Sequence, residues 1–218
     1  MPESTDRLIE RLAATAEPVR RLRPPLVRAM LWLLGVACAG ALAIPAFGDF
    51  GLLARRLHDS MFVLELFGTA VTGVSAVIAA FQMSLHDRSL AWQWLPLPAL
   101  FLWLAGSTTG CYREWIAVGT KGWEFGESAG CLMMIVAFSL PLGTSLLYMI
   151  LRARPLFPGR VAAMGGLGVA AFAAFLLDFN HKIDASFLDL GWHAAAVCIV
   201  VATCWLAARG RRKSKTGA

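Results

Sequence analysis

Thiol, imidazole and carboxylate side chains recur in the short stretches between long apolar runs of the sequence. Thiolates and imidazoles bind soft cations, and two cysteines can form a disulfide when their Cα atoms lie about 6 Å apart. Three interpretations stay open: polar residues solvated at a membrane surface, a redox pair of Cys111 and Cys131, or a thiophilic metal site. The spacings match no known metal motif. The candidates are Cys111, Glu127, Cys131, His181, Asp184 and His193.

No recognised catalytic motif accompanies these residues. The sequence has no CxxC, HExxH, P-loop or GxSxG pattern, and each of those chemistries depends on its spacing. Cys38, Cys198 and Cys204 lie inside apolar runs, where cysteine behaves as a small hydrophobic residue. The sequence therefore predicts no catalytic residue, no cofactor and no enzyme activity. Two functions are kept as alternatives at this point: a membrane thiol redox protein and a small transporter.

The composition indicates an integral membrane protein. Hydrophobic residues make up 58% of the 218 positions and charged residues 16%, whereas soluble domains have about 25% charged residues. The charges fall in short clusters between apolar runs that a soluble core could not bury. The net charge of +6 does not indicate nucleic-acid binding, because the basic residues are spread over the ends of these runs. We expect a lipid bilayer around the chain and no direct nucleic-acid partner.

Six apolar segments are long enough to cross a bilayer as helices. None alternates as a barrel strand does, and a helix satisfies its backbone groups in lipid. The predicted fold is an all-α polytopic membrane bundle with six transmembrane helices. The fifth segment is rich in glycine and alanine, which predicts a central position because small residues allow close approach. The predicted spans are 29–47, 61–83, 90–111, 128–150, 161–177 and 187–208.

The distribution of basic residues sets the predicted orientation. With the amino terminus inside, 15 of the 20 lysines and arginines lie on the inner side, which predicts that both termini are cytoplasmic. Arg20, Arg21, Arg23 and Arg28 belong to that inner charge. The polar groups then gather at the outer ends of the helices, which suggests a shallow polar site there. The predicted divisions are a segment 1–25, a membrane domain 26–208 and a basic tail 209–218.

A short amphipathic helix is predicted before the first span. Leu8, Ile9 and Leu12 recur at helical spacing, a hydroxyl residue at position 4 or 5 can cap the helix, and Pro18 stops or kinks it. A helix of two or three turns is marginal alone in water, so its apolar stripe needs a cover. That cover is either the membrane surface or a groove in a partner protein.

Several stretches resemble one family, the NrsF family of bacterial membrane anti-sigma factors. The match begins with LIERLAATAEPVRRLRPPLVRA and continues with HDRSLAWQWLPLPALFLWLA, which is similar to the family's third span. GCYREW and GESAGC resemble its outer-loop signatures, and HKIDASFLDLGWH resembles its last outer loop. The resemblance covers nearly the whole chain.

The resemblance implies a function that composition could not indicate. Members are multi-pass proteins of the bacterial inner membrane that hold an extracytoplasmic-function sigma factor inactive. They release it on a metal or oxidant signal through cysteines that face the periplasm. The implied sensing residues are Cys111 and Cys131, with possible support from Glu127, His181, Asp184 and His193. The implied sigma-binding residues are Leu8, Ile9, Leu12, Pro18, Val19, Arg20 and Arg21.

Overall fold

The computed structural model describes residues 4–15, 22–119, 125–179 and 187–216. These residues form eight α-helices and one short 3-10 helix, Leu90–Trp94, without a β-strand among them. The predicted all-α fold is therefore confirmed. The helices are α1 Thr5–Ala14, α2 Pro25–Phe47, α3 Phe50–Arg56, α4 Ser60–Met83, α5 Leu97–Val118, α6 Phe125–Leu151, α7 Pro158–Leu177 and α8 Phe187–Thr216.

The long helices α2 and α4 to α8 form an antiparallel bundle. At one end, the backbone N–H of Asp49, just after α2, donates to the carbonyl of Phe179, just after α7, over 3.0 Å. At the other end, Arg28 in the first turn of α2 donates to the carbonyl of Met149 in the last turn of α6. Helices α2 and α7 therefore run in the same direction and α6 runs against both. The close contacts of Gly68 with Trp103 and of Gly106 with Glu65 make α4 and α5 antiparallel in the same way.

The two ends of the bundle carry different ionisable groups, and we name them accordingly. The carboxylate end holds Asp49, Asp59, Glu65 and Asp178, together with Arg55, Arg56 and Arg113. The basic end holds Arg28, Arg152, Arg160 and Arg209.

Helix α7 is the centre of the bundle, as its small residues predict. It packs against α4, α6 and α8, and 61% of its apolar window is buried, against 39% or less for the other candidate spans. Three of its glycines lie against three different helices: Gly165 against α6, Gly166 against α8 and Gly168 against α4. A side chain at any of these positions would push a neighbour away.

Five helices in the described part of the chain are long and apolar enough to cross a membrane, judged by length and composition. They are Pro25–Pro45, Ser60–Met83, Leu132–Leu151, Pro158–Leu177 and Leu190–Gly210. Helix α5 has 22 residues and is not among these five; its second half carries Ser107, Thr108, Thr109 and Arg113. The count of six spans and the cytoplasmic termini stay predictions.

The third predicted span starts too early in the sequence. Residues Leu90–Trp94 form the 3-10 helix, and α5 begins only at Leu97, with Pro96 at its N-cap. Proline lacks a backbone N–H and fixes φ, so it is tolerated at the start of a helix and breaks its interior. The apolar composition is continuous across this point, which is why composition alone gave the wrong start.

Helix α3 was not predicted, because the stretch after the first span contains several charges and reads as a loop. Asp49 occupies its N-cap, and its Oδ1 accepts a hydrogen bond from the backbone N–H of Leu52 over 2.9 Å. Leu52 is buried. The cap and the buried leucine fix this short helix against the bundle, and Arg56 is its last residue.

Candidate functional site

A partly open cavity of about 220 Å³ lies at the carboxylate end, among α4, α5, α7 and α8. Most of its wall is apolar, and its polar and thiol groups come from five different helices or their ends. The polar and thiol residues in its lining include Arg56, Glu65, Ser107, Cys111, Asp178 and His193.

Helical spacing explains which residues of α5 and α8 reach the cavity. On α5, Trp103, Ser107 and Cys111 follow one another at intervals of four, so their side chains share one face of the helix. On α8, His193 and Val197 have the same spacing, and both line the cavity. The face of α5 that contains Cys111 and the face of α8 that contains His193 are therefore turned to the cavity.

Glu65 and Ser107 connect α4 to α5 inside this site. The Ser107 hydroxyl donates to Glu65 Oε1 over 2.5 Å. The two backbones come this close because glycines face them: a Cβ on Gly106 would lie 2.9 Å from the Glu65 N, and a Cβ on Gly68 would lie 2.6 Å from the Trp103 N. These two glycines therefore allow α4 and α5 to approach closely enough for the hydrogen bond between Ser107 and Glu65.

Asp178 supplies the second carboxylate, one residue after the end of α7. Its Oδ2 is buried and has no hydrogen-bond partner among the described residues. Burial raises the pKa of the Asp178 carboxyl, the nearby Glu65 raises it further, and Arg56 opposes the rise. A buried acceptor without a partner is costly, so this carboxyl is poorly satisfied by the described residues.

The structure brings together part of the predicted site. Cys111 is buried and His193 is partly buried, and both line the cavity with Glu65 and Asp178, which agrees with the predicted polar site at one end of the bundle. Sequence reasoning missed Arg56, because α3 was not predicted, and Ser107, although its position one turn before Cys111 signals a shared face. Cys198, which the sequence places inside an apolar run, also lines this mostly apolar cavity.

The other predicted sensing residues lie outside the part that the structure describes. His181 and Asp184 fall in the gap before α8, while Glu127 and Cys131 belong to α6 but their side chains are not described. The predicted pairing of Cys111 with Cys131 therefore stays a prediction. Within the described residues, no three His, Cys, Asp or Glu side chains are arranged to hold a metal ion.

Arg28 has a structural position at the basic end. Its guanidinium donates to the Met149 carbonyl and lies over the Phe81 ring of α4, 5.0 Å from the ring centroid, and the residue is only 6% exposed. A cation at a helix C-terminus is favoured by the helix dipole. One turn further along α2, Trp32 Nε1 donates to Ser145 Oγ of α6 over 3.1 Å. Arg28 thus joins three helices, beyond its contribution to the charge of the inner segment.

Helix α1 is confirmed as a helix, and all of its side chains are exposed. Ser4 holds the N-cap position without a side-chain hydrogen bond, and the helix ends at Ala14, before Pro18. The Thr15 hydroxyl donates to the Arg11 carbonyl over 2.9 Å there.

The apolar residues of α1 form an uncovered stripe. Among them Ile9 is 58% exposed and Leu12 is 60% exposed, and Leu8 is exposed as well. The remaining predicted docking residues, Pro18, Val19, Arg20 and Arg21, lie outside the described residues.

Comparison with known proteins identifies the family. Searches against curated proteins and against solved structures find no match. The family model of NrsF, described as "Negative regulator of sigma F", matches residues 12–211, which include α2 to α7, most of α8 and both ends of the bundle. The chain therefore belongs to the NrsF family, the negative regulators of sigma F.

Proposed function

We propose that this protein is an anti-sigma factor of the bacterial inner membrane that holds an extracytoplasmic-function sigma factor inactive. Family membership supports negative regulation of a sigma factor, and five candidate spans support a location in a membrane. The arginines Arg28, Arg152, Arg160 and Arg209 share the basic end of the bundle. Because basic residues favour the cytoplasmic side, this end would face the cytoplasm, where the sigma factor is.

The observation that carries the docking proposal is the uncovered stripe of α1. Ile9 and Leu12 are more than half exposed, and a ten-residue helix is marginal in water without a surface against it. A groove on the sigma factor would cover the stripe, in the manner of other amphipathic helices that bind in grooves. The segment 1–25, which includes Pro18, Val19, Arg20 and Arg21, would provide the rest of the interface.

The signal would act at the opposite, carboxylate end through Cys111 and Cys131. An oxidant would convert the two thiols into a disulfide and take up two electrons and two protons, and a thiophilic metal would instead bind the two thiolates. Glu127, His181, Asp184 and His193 would support either reaction. Cys111 is buried in the wall of the cavity, so its modification would change the packing of α5.

A path for the signal through the bundle is available in α6. This helix contains Cys131 near one end and Met149 near the other, and Met149 binds Arg28 of α2. Helix α2 follows directly on the docking segment. A shift of α6 would therefore be transmitted to the base of that segment, and a difference of a few kcal/mol between two packings is enough to change binding of the sigma factor.

The docking proposal is tested by affinity capture of the detergent-solubilised full chain, with bound proteins identified by mass spectrometry. We expect recovery of a sigma factor with the intact chain and its loss when residues 1–25 are removed. Ile9→Ser combined with Leu12→Ser should weaken capture at least tenfold, because both anchors of the stripe are lost. Glu10→Ser, on the polar face of the same helix, is the matched control. Equal recovery by the stripe and control variants would contradict docking through α1.

The sensing proposal is tested separately, by release of the captured sigma factor on exposure to an oxidant or a thiophilic metal. We expect release from the wild type and none from the double variant Cys111→Ser, Cys131→Ser. Cys38→Ser is the control, since Cys38 is exposed in α2 and has no part in the proposal. Unchanged release from the double variant would remove both cysteines from the sensing mechanism.

A further inference from the structure

Among the described residues that line the cavity at the carboxylate end, carboxylates outnumber permanently charged cations. Glu65 and Asp178 are the two carboxylates, and Arg56 is the one arginine in this part of the wall. The Arg56 guanidinium lies over the Phe62 ring, 4.1 Å from its centroid, so part of its surface is turned to an aromatic ring. Asp178 also follows the last residue of α7, where the helix dipole adds negative potential. The electrostatic environment therefore favours an incoming cation.

One residue of the cavity wall has a buried acceptor without a donor. Asp178 Oδ2 has no hydrogen-bond partner in the described part of the chain, while Glu65 Oε1 already accepts from Ser107. Burial and Glu65 both raise the pKa of the Asp178 carboxyl, and Arg56 only partly offsets this rise. A cationic N–H donor would offset this cost by pairing with Asp178 and reducing its repulsion with Glu65.

The rest of the wall is apolar and sets the size of a ligand. Leu100, Trp103, Leu190 and Val197 contribute to it. A dry apolar cavity of about 150 Å³ is enough to hold benzene, and this cavity has about 220 Å³. It therefore has room for one aromatic ring and a short polar extension. An inorganic cation would leave most of the apolar surface unfilled, and an anion would face two carboxylates.

We propose that this cavity binds a small organic ammonium ion whose apolar part is about the size of a benzene ring. The ammonium group pairs with Asp178 beside Glu65, and the apolar part contacts Trp103 and the leucine side chains. The site does not depend on docking of the sigma factor through α1, since it lies at the opposite end of the bundle.

Binding of three probes of one shape tests the proposal: benzylammonium, benzyl alcohol and benzoate. Saturation-transfer difference NMR is recorded on the full chain in detergent micelles at about pH 8, above the ordinary pKa of histidine, and the signal from empty micelles is subtracted. We expect benzylammonium to bind with a Kd of about 1 mM or tighter, as eight heavy atoms allow. Benzyl alcohol should bind at least tenfold more weakly, and benzoate more weakly still. Equal affinity for benzylammonium and benzyl alcohol would overturn the proposal.

Two neutral variants locate the binding site. Asp178→Asn and Glu65→Gln keep the shape of each side chain and remove its charge, and each should weaken benzylammonium at least tenfold while changing benzyl alcohol little. Asp59→Asn is the matched control, because Asp59 is an exposed carboxylate at the same end that pairs with Arg113. Wild-type affinity in both cavity variants, or an equal loss in the Asp59 variant, would refute this site. If one cavity variant does not fold, the other decides.

Discussion

The contact between α4 and α5 at Gly68 allows a prediction that can be worked through from distances. A Cβ on Gly68 would lie 2.6 Å from the N and 2.8 Å from the Cα of Trp103. These are backbone atoms, so no rotamer change can move them away. Ordinary contact begins near 3.4 Å, so Gly68→Ala must separate the two helices by about 0.8 Å. Overpacking of this kind costs about 1–3 kcal/mol.

Gly110→Ala is the matched control for this substitution. Gly110 is also in a helix of the same bundle, α5, and a Cβ there would meet nothing within 4 Å. Both variants gain the same helix propensity, roughly 1 kcal/mol per glycine replaced by alanine, so the difference between them isolates the packing cost. For a protein of this size, 1–3 kcal/mol corresponds to a difference in Tm of roughly 2–12 °C.

The measurement is thermal unfolding of both variants in the same detergent, followed by circular dichroism at a helix wavelength. We expect Gly68→Ala to unfold at a lower temperature than Gly110→Ala. Because Trp103 lines the cavity, the Gly68 variant should also bind benzylammonium more weakly. If the two variants unfold within about 1 °C of each other, the close contact of α4 and α5 is not what the structure indicates.

Three further changes have defined outcomes. Asp178→Asn should raise the Tm at pH 7. The pKa of the Asp178 carboxyl is raised in the folded protein, so its ionisation lowers the stability of the wild type as the pH rises. The higher Tm of the variant should therefore disappear as the pH falls toward about 4, the ordinary pKa range of an aspartate. Arg28→Ala should cost about 1.5–3 kcal/mol in thermal unfolding through the lost charge-assisted bond to Met149, with partial recovery in Arg28→Lys; equal stability of the three proteins would contradict this bond. Trp32→Phe should cost about 0.6 kcal/mol for the lost hydrogen bond to Ser145 and more for the smaller ring, because Trp32 is buried; a variant as stable as the wild type in thermal unfolding would contradict both contributions.

The sequence was sufficient to predict the long helices and the central position of α7. In lipid, a run of apolar residues must form its backbone hydrogen bonds within the segment itself. A helix therefore follows from the local composition. The small residues of α7 also act locally, since any helix with such a surface can be approached closely. Gly165, Gly166 and Gly168 each face a different helix, in agreement with that reasoning.

Local composition failed where a stop signal or a cap decided the structure. The apolar run from Leu90 continues without a break into α5, but Pro96 delays the helix to Leu97. Asp49 begins the unpredicted helix α3 through its side-chain cap. A short helix with charged residues has no strong periodic signal, and its stability comes from packing of Leu52 against the rest of the bundle.

The sequence by itself determined that this protein is helical, that it is built for a membrane, and that it resembles the NrsF family; the family match confirms that last conclusion. Only the tertiary structure decided which polar groups meet. Glu65, Ser107 and Asp178 lie far apart in the chain, and their common cavity depends on the rotation of three helices about their axes and on the backbone distance at Gly68 and Gly106. The rotation of each helix and its distance from its neighbours are set by the packing of all the helices together. No local pattern in the sequence predicts them.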